Sequence, residues 1–327
     1  MNQTRLVAEA SRLLPLAREV LTRYEFGVKH VDHLATHSNV LYRVVATDGR
    51  QMVLRVGTPD SNSRSNLQVE VAWLDALARE TNLDVVSPIA TVAGRYITDV
   101  VDPMSGRRRH CVLFTWVPGT PLGDGAGPFS YRLLGQMLAR LQAHGKNWSP
   151  PDPDLLRKWD QIFYYRSDDP LVIFSARTTQ MLGHTTMGTI KKAMPIAERV
   201  VADTWANDEP QVVHGDLHEW NAHVVATRLY AFDFEDVMLA TPAQDISVCL
   251  YSSRASSRSR EVVEAFREGF EEYGAWPIDS NYQLDGLHAA RQIMLMNYAI
   301  SALPESEAVD YVAKVMPWIS GFVERYA

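Results

Sequence analysis

At Pro118-Gly119 the texture of the chain changes, and this break constrains the fold more than any other feature of the 327 residues. Ahead of it, NVLYRVVA and RQMVLRV flank Thr47-Asp48-Gly49. An Asp-Gly pair between alternating apolar segments signals a hairpin, because a tight hairpin turn needs left-handed backbone that glycine adopts without strain. From Ser65 to Arg79, the apolar residues Leu67, Val71, Leu74 and Leu77 recur near the helical period and predict an amphipathic helix. Two further strands, RYITDVV and RHCVLFTWV, are predicted around the turn Asp102-Pro103-Met104-Ser105-Gly106. Past the break, Gly119, Gly123, Gly125 and Gly127 punctuate a loop, and helical patterning then dominates to the end. The reading is an α+β protein with a small β-rich N-lobe, residues 1–117, and a larger, mainly helical C-lobe, residues 118–327.

Composition narrows the partners. With 46% hydrophobic and 22% charged residues, the chain is long enough for two cores. A net charge of -7 gives it no general attraction for nucleic acid or an anionic membrane, and leans weakly towards cationic partners. Cys111 and Cys249 sit inside apolar runs with no CxxC pair, so they read as small buried hydrophobes of a reducing compartment. The N-terminal MNQTRLVAEASRLLPLAREVL mixes Arg and Glu among its leucines and reads as an amphipathic helix, not a signal peptide. No apolar run approaches the roughly 20 residues that cross a bilayer. These features together predict a cytoplasmic protein.

One stretch interrupts the helical second half: QVVHGDLHEWNAHVVATRLYAFDFEDV. Its short apolar runs flank polar clusters, the pattern of a site carried on loops of a rigid scaffold. Phosphoryl transfer needs a carboxylate to orient an attacking hydroxyl, oxygen ligands for Mg²⁺, and a cation for the phosphates. In HGDLHEWN, Asp216 and Asn221 stand five positions apart, the D-x-x-x-x-N spacing of a kinase catalytic loop. AHVV and LYAF predict a hairpin that folds Asp233, twelve positions past Asn221, back towards that loop, with Glu235 and Asp236 next in line. His214, His218 and His223 run into a strand, not into the helix that a paired-histidine zinc site requires. GTPLGDGAG lacks both the Walker lysine and the strand–helix frame of a dinucleotide cradle.

HGDLHEWN, followed by FDFED and then PAQDIS, resembles the aminoglycoside phosphotransferase family, which also includes choline, homoserine and methylthioribose kinases and the bacterial stress response kinase. The resemblance implies a bilobal protein-kinase-like fold. It implies that Asp216 is the catalytic base and that Asn221 and Asp233, with Glu235 beside them, hold Mg²⁺. His214 and Asp245 would brace the catalytic loop. In the front lobe, Ser38-Asn39 resembles the nucleotide-loop position, although the family's glycines are absent. Arg55 stands where the family has its phosphate-binding lysine, and Glu70 stands where it has the ion-pair partner. An arginine keeps its charge and binds phosphate bidentately, with a different reach from an ammonium. VLFTWVPGTPL resembles the interlobe hinge, where backbone groups of Thr115, Trp116 and Val117 would meet adenine.

The expected function is therefore an ATP- and Mg²⁺-dependent phosphotransferase acting on a hydroxyl of a small, possibly cationic molecule: aminoglycoside, amino alcohol, sugar or homoserine-like. A Ser/Thr protein kinase of the stress response kinase type and a nucleotide-binding scaffold without turnover remain alternatives. Outside the motifs, the glutamates at 261, 264, 268, 271 and 272 read either as a solvated face or as acceptor contacts. The run RQIMLMNYAI reads as core.

Overall fold

A computed structural model describes residues 3–36, 38–58, 64–164, 170–256 and 258–327; the reading of residues 1 and 2 as helix lies outside them. In chain order, α1 (Gln3–Leu21) leads into β1 (Val28–Thr36), β2 (Asn39–Ala46) and β3 (Gln51–Gly57). Then come α2 (Arg64–Glu80), β4 (Pro88–Ile89), β5 (Ile97–Val101), β6 (Arg108–Thr115) and β7 (Thr120–Pro121). The second half opens with α3 (Pro128–Gly145), β8 (Arg157–Lys158), α4 (Ala176–Leu182), α5 (His184–Asn207) and β9 (Gln211–Val213). It closes with β10 (Ala222–Val225), β11 (Arg228–Ala231), β12 (Met238–Ala240), α6 (Pro242–Leu250), α7 (Ser259–Glu271), α8 (Asn281–Ala302) and α9 (Glu305–Tyr326). Among the described residues, no helix is long and apolar enough to cross a membrane.

The first compact unit comprises Met1–Pro121, Pro150–Leu155 and Ala222–Asp236. Its antiparallel sheet runs β1-β2-β3-β6-β4, with β5 also paired to β6. On β2 the buried residues Val40, Tyr42, Val44 and Ala46 alternate with the rest, as a strand with one core face must. They pack with Leu13, Ala17 and Val20 of α1, and Tyr42 donates its hydroxyl to Ala10 O at 2.6 Å. The β2–β3 turn forms where Asp48-Gly49 predicts it: Gly49 N donates to Ala46 O, and Asp48 Oδ1 accepts from Arg50 N, both at 3.0 Å. Helix α2 buries Leu67, Val71, Leu74 and Leu77, and also Glu70.

A single boundary at residue 117 does not describe this unit. The β10–β11 hairpin belongs to it because β10 pairs with β7 and because β11 bonds the segment between α2 and β4. Val86 N donates to Ala231 O, and Ala231 N to Asp84 O, each at 3.0 Å. Hydrogen bonds between segments so far apart in sequence leave no trace in local periodicity.

The second unit comprises Leu122–Ser149, Leu156–Asn221 and Val237–Ala327. Its core is helical: Met187, Ile190, Ala193, Ala197 and Val201 of α5 pack with Leu287, Ile293 and Met296 of α8 and with Val312 and Ile319 of α9. Helices α3 and α7 cross on a reciprocal pair of glycines. A Cβ on Gly135 would collide with the backbone of Phe266, and one on Gly269 with the backbone of Arg132. A short sheet, β8-β12-β9, carries the segment that matters next, since β9 ends at Val213, one residue before His214.

Candidate active site

In the second unit the loop from His214 to Asn221 is stitched together by its own polar groups. Gly215 turns the chain with φ +80°, a left-handed conformation that glycine tolerates at no steric cost. Its N–H donates to Asp245 Oδ1 at 3.0 Å. His214, fully buried, accepts from Asp216 N at Nδ1 over 3.3 Å. Asn221 N donates to His218 O at 2.9 Å, and Trp220 N to His218 Nδ1 at 3.1 Å. Asp245 is held in turn by the start of α6. There Thr241 Oγ1 accepts from Gln244 N and Gln244 Oε1 accepts from Thr241 N, a capping box with Pro242 in the first turn. Gln142 Nε2 on α3 donates to Asp245 Oδ2 at 3.3 Å. Burial pushes the Asp245 carboxyl up to about 6, against the pull of these donors.

Asp216 projects from this loop with 24% of its side chain exposed. Arg291 of α8 donates Nη2 to its Oδ1 at 2.5 Å, and His218 Nε2 lies 3.5 Å from its Oδ2. Burial alone would raise this carboxyl, but the Arg291 guanidinium and His218 outweigh it and bring it down to about 2. Asp216 is thus a fixed, ionised acceptor. Asn221 Nδ2 donates to both Asp216 O (2.9 Å) and Asp216 Oδ2 (3.1 Å). Both amide hydrogens are spent inside the loop, and Asn221 Oδ1 accepts from no donor among the described residues. An amide oxygen so turned is the hard ligand that a divalent cation takes.

In the first unit, Arg55 projects from β3 between two carboxylates. Its Nη1 and Nη2 donate to Glu70 Oε1 and Oε2 at 3.0 and 2.5 Å, and Nη1 lies 2.8 Å from Glu235 Oε1. Burial disfavours the guanidinium charge, but Glu70 and Glu235 more than offset that, and Asp233 adds to their effect. The Phe114 ring centroid lies 4.9 Å from the guanidinium carbon. With 7% and 2% of their side chains exposed, Arg55 and Glu70 form a buried pair, not a surface salt bridge. Asn39 donates its side-chain N–H to Glu235 Oε1. One oxygen of Glu235, expected beside the metal ligands, thus faces both Arg55 and Asn39.

Asp233 itself has φ +66°, a left-handed conformation that Asp and Asn tolerate better than other side chains. It lies two residues past Ala231, which pairs with Ala222, the residue after Asn221. Ser38 is exposed, and its carbonyl accepts from Thr58 Oγ1 at 2.9 Å. Thr115 donates its N–H to Ser87 O (2.9 Å) and accepts from Ser87 N at Oγ1 (3.0 Å). β6 ends there, so Trp116 and Val117 lie beyond the ladder, both half-buried.

Sequence reading missed Arg291. It sits in RQIMLMNYAI, where Ile293, Met294 and Met296 are core as expected, but Arg291 turns to Asp216. Seventy-five residues separate the two, and no local pattern joins them. It also missed Arg254. The glutamates of α7 and its C-cap resolve as a solvated face. Glu261, Glu264 and Glu271 pair with Arg258, Arg260 and Arg267, while Glu268 and Glu272 pair with Arg132.

Comparison with known proteins gives the family and the fold. The model of the family described as "Phosphotransferase enzyme family" matches residues 33–280. Amicoumacin kinase of Bacillus subtilis (strain 168) is 23% identical over 241 residues, 72% of this chain. The matched segments span 61% and 66% of the lengths of the curated relatives. Among solved structures, an amicoumacin kinase, hAmiN, in complex with AMP-PNP, Ca²⁺ and Ami superposes with a TM-score of 0.77. It is 18% identical and covers 98% of this chain and 95% of its own. A microcompartment-associated aminopropanol kinase gives a TM-score of 0.74 at 20% identity, covering 96% and 97%. The α+β fold is that of these kinases.

Proposed function

The chain belongs to the phosphotransferase enzyme family, and we propose that it transfers the γ-phosphate of ATP to a hydroxyl of a small molecule. The observation that carries this reading is Asp216. Its carboxylate is ionised, is clamped by Arg291 and Asn221, and stands on a loop that Asp245 and His214 hold from behind.

Asp216 accepts the hydrogen bond of the acceptor hydroxyl and aims its oxygen at the γ-phosphorus. As the new O–P bond forms, the P–O bond to the leaving ADP breaks, and the hydroxyl proton passes to Asp216. Because its pKa is pulled down, the carboxylate contributes more by orientation than by basicity, which suits a loose transition state in which the proton leaves late. Arg55 contributes a permanent positive charge for the nucleotide phosphates. Those phosphates would compete with Glu235 for Nη1, while Glu70 keeps the guanidinium oriented. Asn221 Oδ1 and the Asp233 carboxylate are the oxygens suited to Mg²⁺, which when bound neutralises charge on the transferring phosphate. Backbone groups of Trp116 and Val117, beyond the end of β6, are the ones left to meet a base edge.

A net charge of -7 exerts only a weak long-range pull on cationic acceptors such as amino alcohols or aminoglycosides. Acceptor charge is then decided by the groups around Asp216. The test is ADP release from MgATP over a panel of sugars, amino alcohols, amino acids and aminoglycosides, with Asp216→Ala as control. Turnover that survives in Asp216→Ala would remove the role assigned to this residue.

A further inference from the structure

Two guanidiniums flank one tyrosine ring in the second unit. Arg254 stacks with its guanidinium carbon 3.6 Å from the centroid of Tyr251, and that of Arg291 lies 5.6 Å from the same centroid. Hydrogen bonds link their surroundings. Gln292, fully buried on α8, accepts from Tyr251 Oη and from Arg254 Nη2, each at 2.5 Å, and donates to Tyr311 Oη at 3.0 Å. Arg254 also donates to Tyr251 O, and the Trp318 ring lies 5.1 Å from its guanidinium carbon.

Charge does not balance here. Arg291 has the Asp216 carboxylate, but Arg254 meets only neutral acceptors among the described residues. Burial disfavours its charged form, and the nearby charge of Arg291 adds to that. The Nε atoms of both arginines are buried and have no hydrogen-bond partner among the described residues. His288 adds no compensation, since its Nε2 donates to Ser247 O at 3.0 Å and burial holds the ring neutral. Of the two cations only Arg291 has a carboxylate in contact, and Arg254, half-buried, keeps guanidinium donors that no acid group neutralises across the same tyrosine ring. Such donors bind carboxylate or phosphate oxygens in pairs. A cationic acceptor would instead add a third positive charge, beside a carboxylate that Arg291 already holds.

We propose that the acceptor carries an anionic group, a carboxylate or a phosphate, which Arg254 and Arg291 bind while Asp216 orients its hydroxyl. The proposal rests on the phosphotransferase reading above and narrows its substrate class. In the reaction the anionic group is unchanged. The hydroxyl oxygen gains the phosphoryl group, its proton goes to Asp216, and the electron pair of the broken P–O bond leaves with ADP.

The test holds the carbon chain constant and varies charge. Two series serve as probes: glycerate, glycerol phosphate, glycerol and aminopropanediol; and gluconate, glucose phosphate, glucose and glucosamine. Binding to the full chain is followed by tryptophan fluorescence, with Trp318 beside Arg254 as reporter. Anionic members should bind about tenfold or more tighter than their neutral and amine counterparts. Arg254→Gln should erase that preference, and Arg254→Lys should keep part of it. The better anionic arm separates carboxylate from phosphate. No preference for anionic members, weak binding of every member included, overturns the proposal, as does a preference that survives Arg254→Gln. The wild-type series decides the matter even if Arg254→Gln fails to fold. Calorimetric MgATP titration and ADP release are read separately. Nucleotide turnover with neutral or amine acceptors sinks the anionic inference alone, whereas absence of MgATP binding sinks the phosphotransferase reading.

Discussion

Arg291 donates Nη2 to Asp216 Oδ1 at 2.5 Å, so helix α8 holds the carboxylate that the loop from His214 to Asn221 presents. Only 11% of the Arg291 side chain is exposed, and removing its partner leaves a largely buried cation. Asp216→Asn should lower kcat by about 10²–10⁴. It should also cost about 1–3 kcal/mol of stability, read from denaturant midpoints. Pairing it with Arg291→Met should recover stability without recovering turnover, because the loss in stability comes from the orphaned charge and the loss in rate from the missing acceptor. Additive stability losses in the double variant would count against the pairing.

The two carboxyls of the site carry opposite pH signs. Asp216 is depressed to about 2, so its contribution to stability is present above the unfolded value near 4 and is lost as pH falls towards 2. Asp245 is raised to about 6, so its contribution is present at low pH and is lost as pH rises through about 6. Thermal midpoints of wild type against Asp216→Asn should keep a constant gap from about pH 8 to 5 and converge below about 4. Against Asp245→Asn, the gap should move in favour of the variant between about pH 4 and 6 and level off above that. An acid limb of kcat/KM that follows Asp216 near neutrality would contradict the first assignment.

Arg55 spans three carboxylate oxygens, two on Glu70 and one on Glu235. An ammonium has neither the fork nor the reach to do so. Arg55→Lys should raise the KM for ATP by about tenfold. Arg55→Met should destabilise the chain by about 3–5 kcal/mol, because it leaves buried carboxylates without a cation. An unchanged unfolding midpoint in Arg55→Met would show that the pair contributes nothing to the fold.

Asp233→Asn keeps a side chain that tolerates φ +66°, so it removes charge without adding backbone strain. MgATP affinity by calorimetry should fall by about tenfold or more, and the nucleotide affinity that remains should respond little to EDTA. Equal affinity in variant and wild type would take Asp233 off the metal.

Gly135→Ala places a methyl against the Phe266 carbonyl at the α3–α7 crossing. Overpacking there should cost about 1–3 kcal/mol or more. Gly125→Ala, with open space around its Cβ position, should fall within about 0.5 kcal/mol of wild type. Matching midpoints for the two variants would mean that the helices separate easily.

Much of this protein is local and therefore legible in order of sequence. Asp48-Gly49 sets the β2–β3 turn because few residues adopt its backbone, and Leu67, Val71, Leu74 and Leu77 mark α2 because a helix repeats its buried face every turn. Asp216 and Asn221 are readable because one short loop carries both, and the amide reaches the carboxylate within five residues. The pairing of Arg55 with Glu70 is legible only through family resemblance. Its burial, and the capture of Glu235, depend on how the sheet, α2 and the β10–β11 hairpin pack. Arg291 and Arg254 show the limit most clearly. Each sits in a segment whose local pattern says only helix or turn, and each gains its role from groups brought close by folding. Electrostatic interaction decays with distance in space, not along the chain. The charge of the site, and with it the kind of acceptor it suits, was decided by tertiary structure.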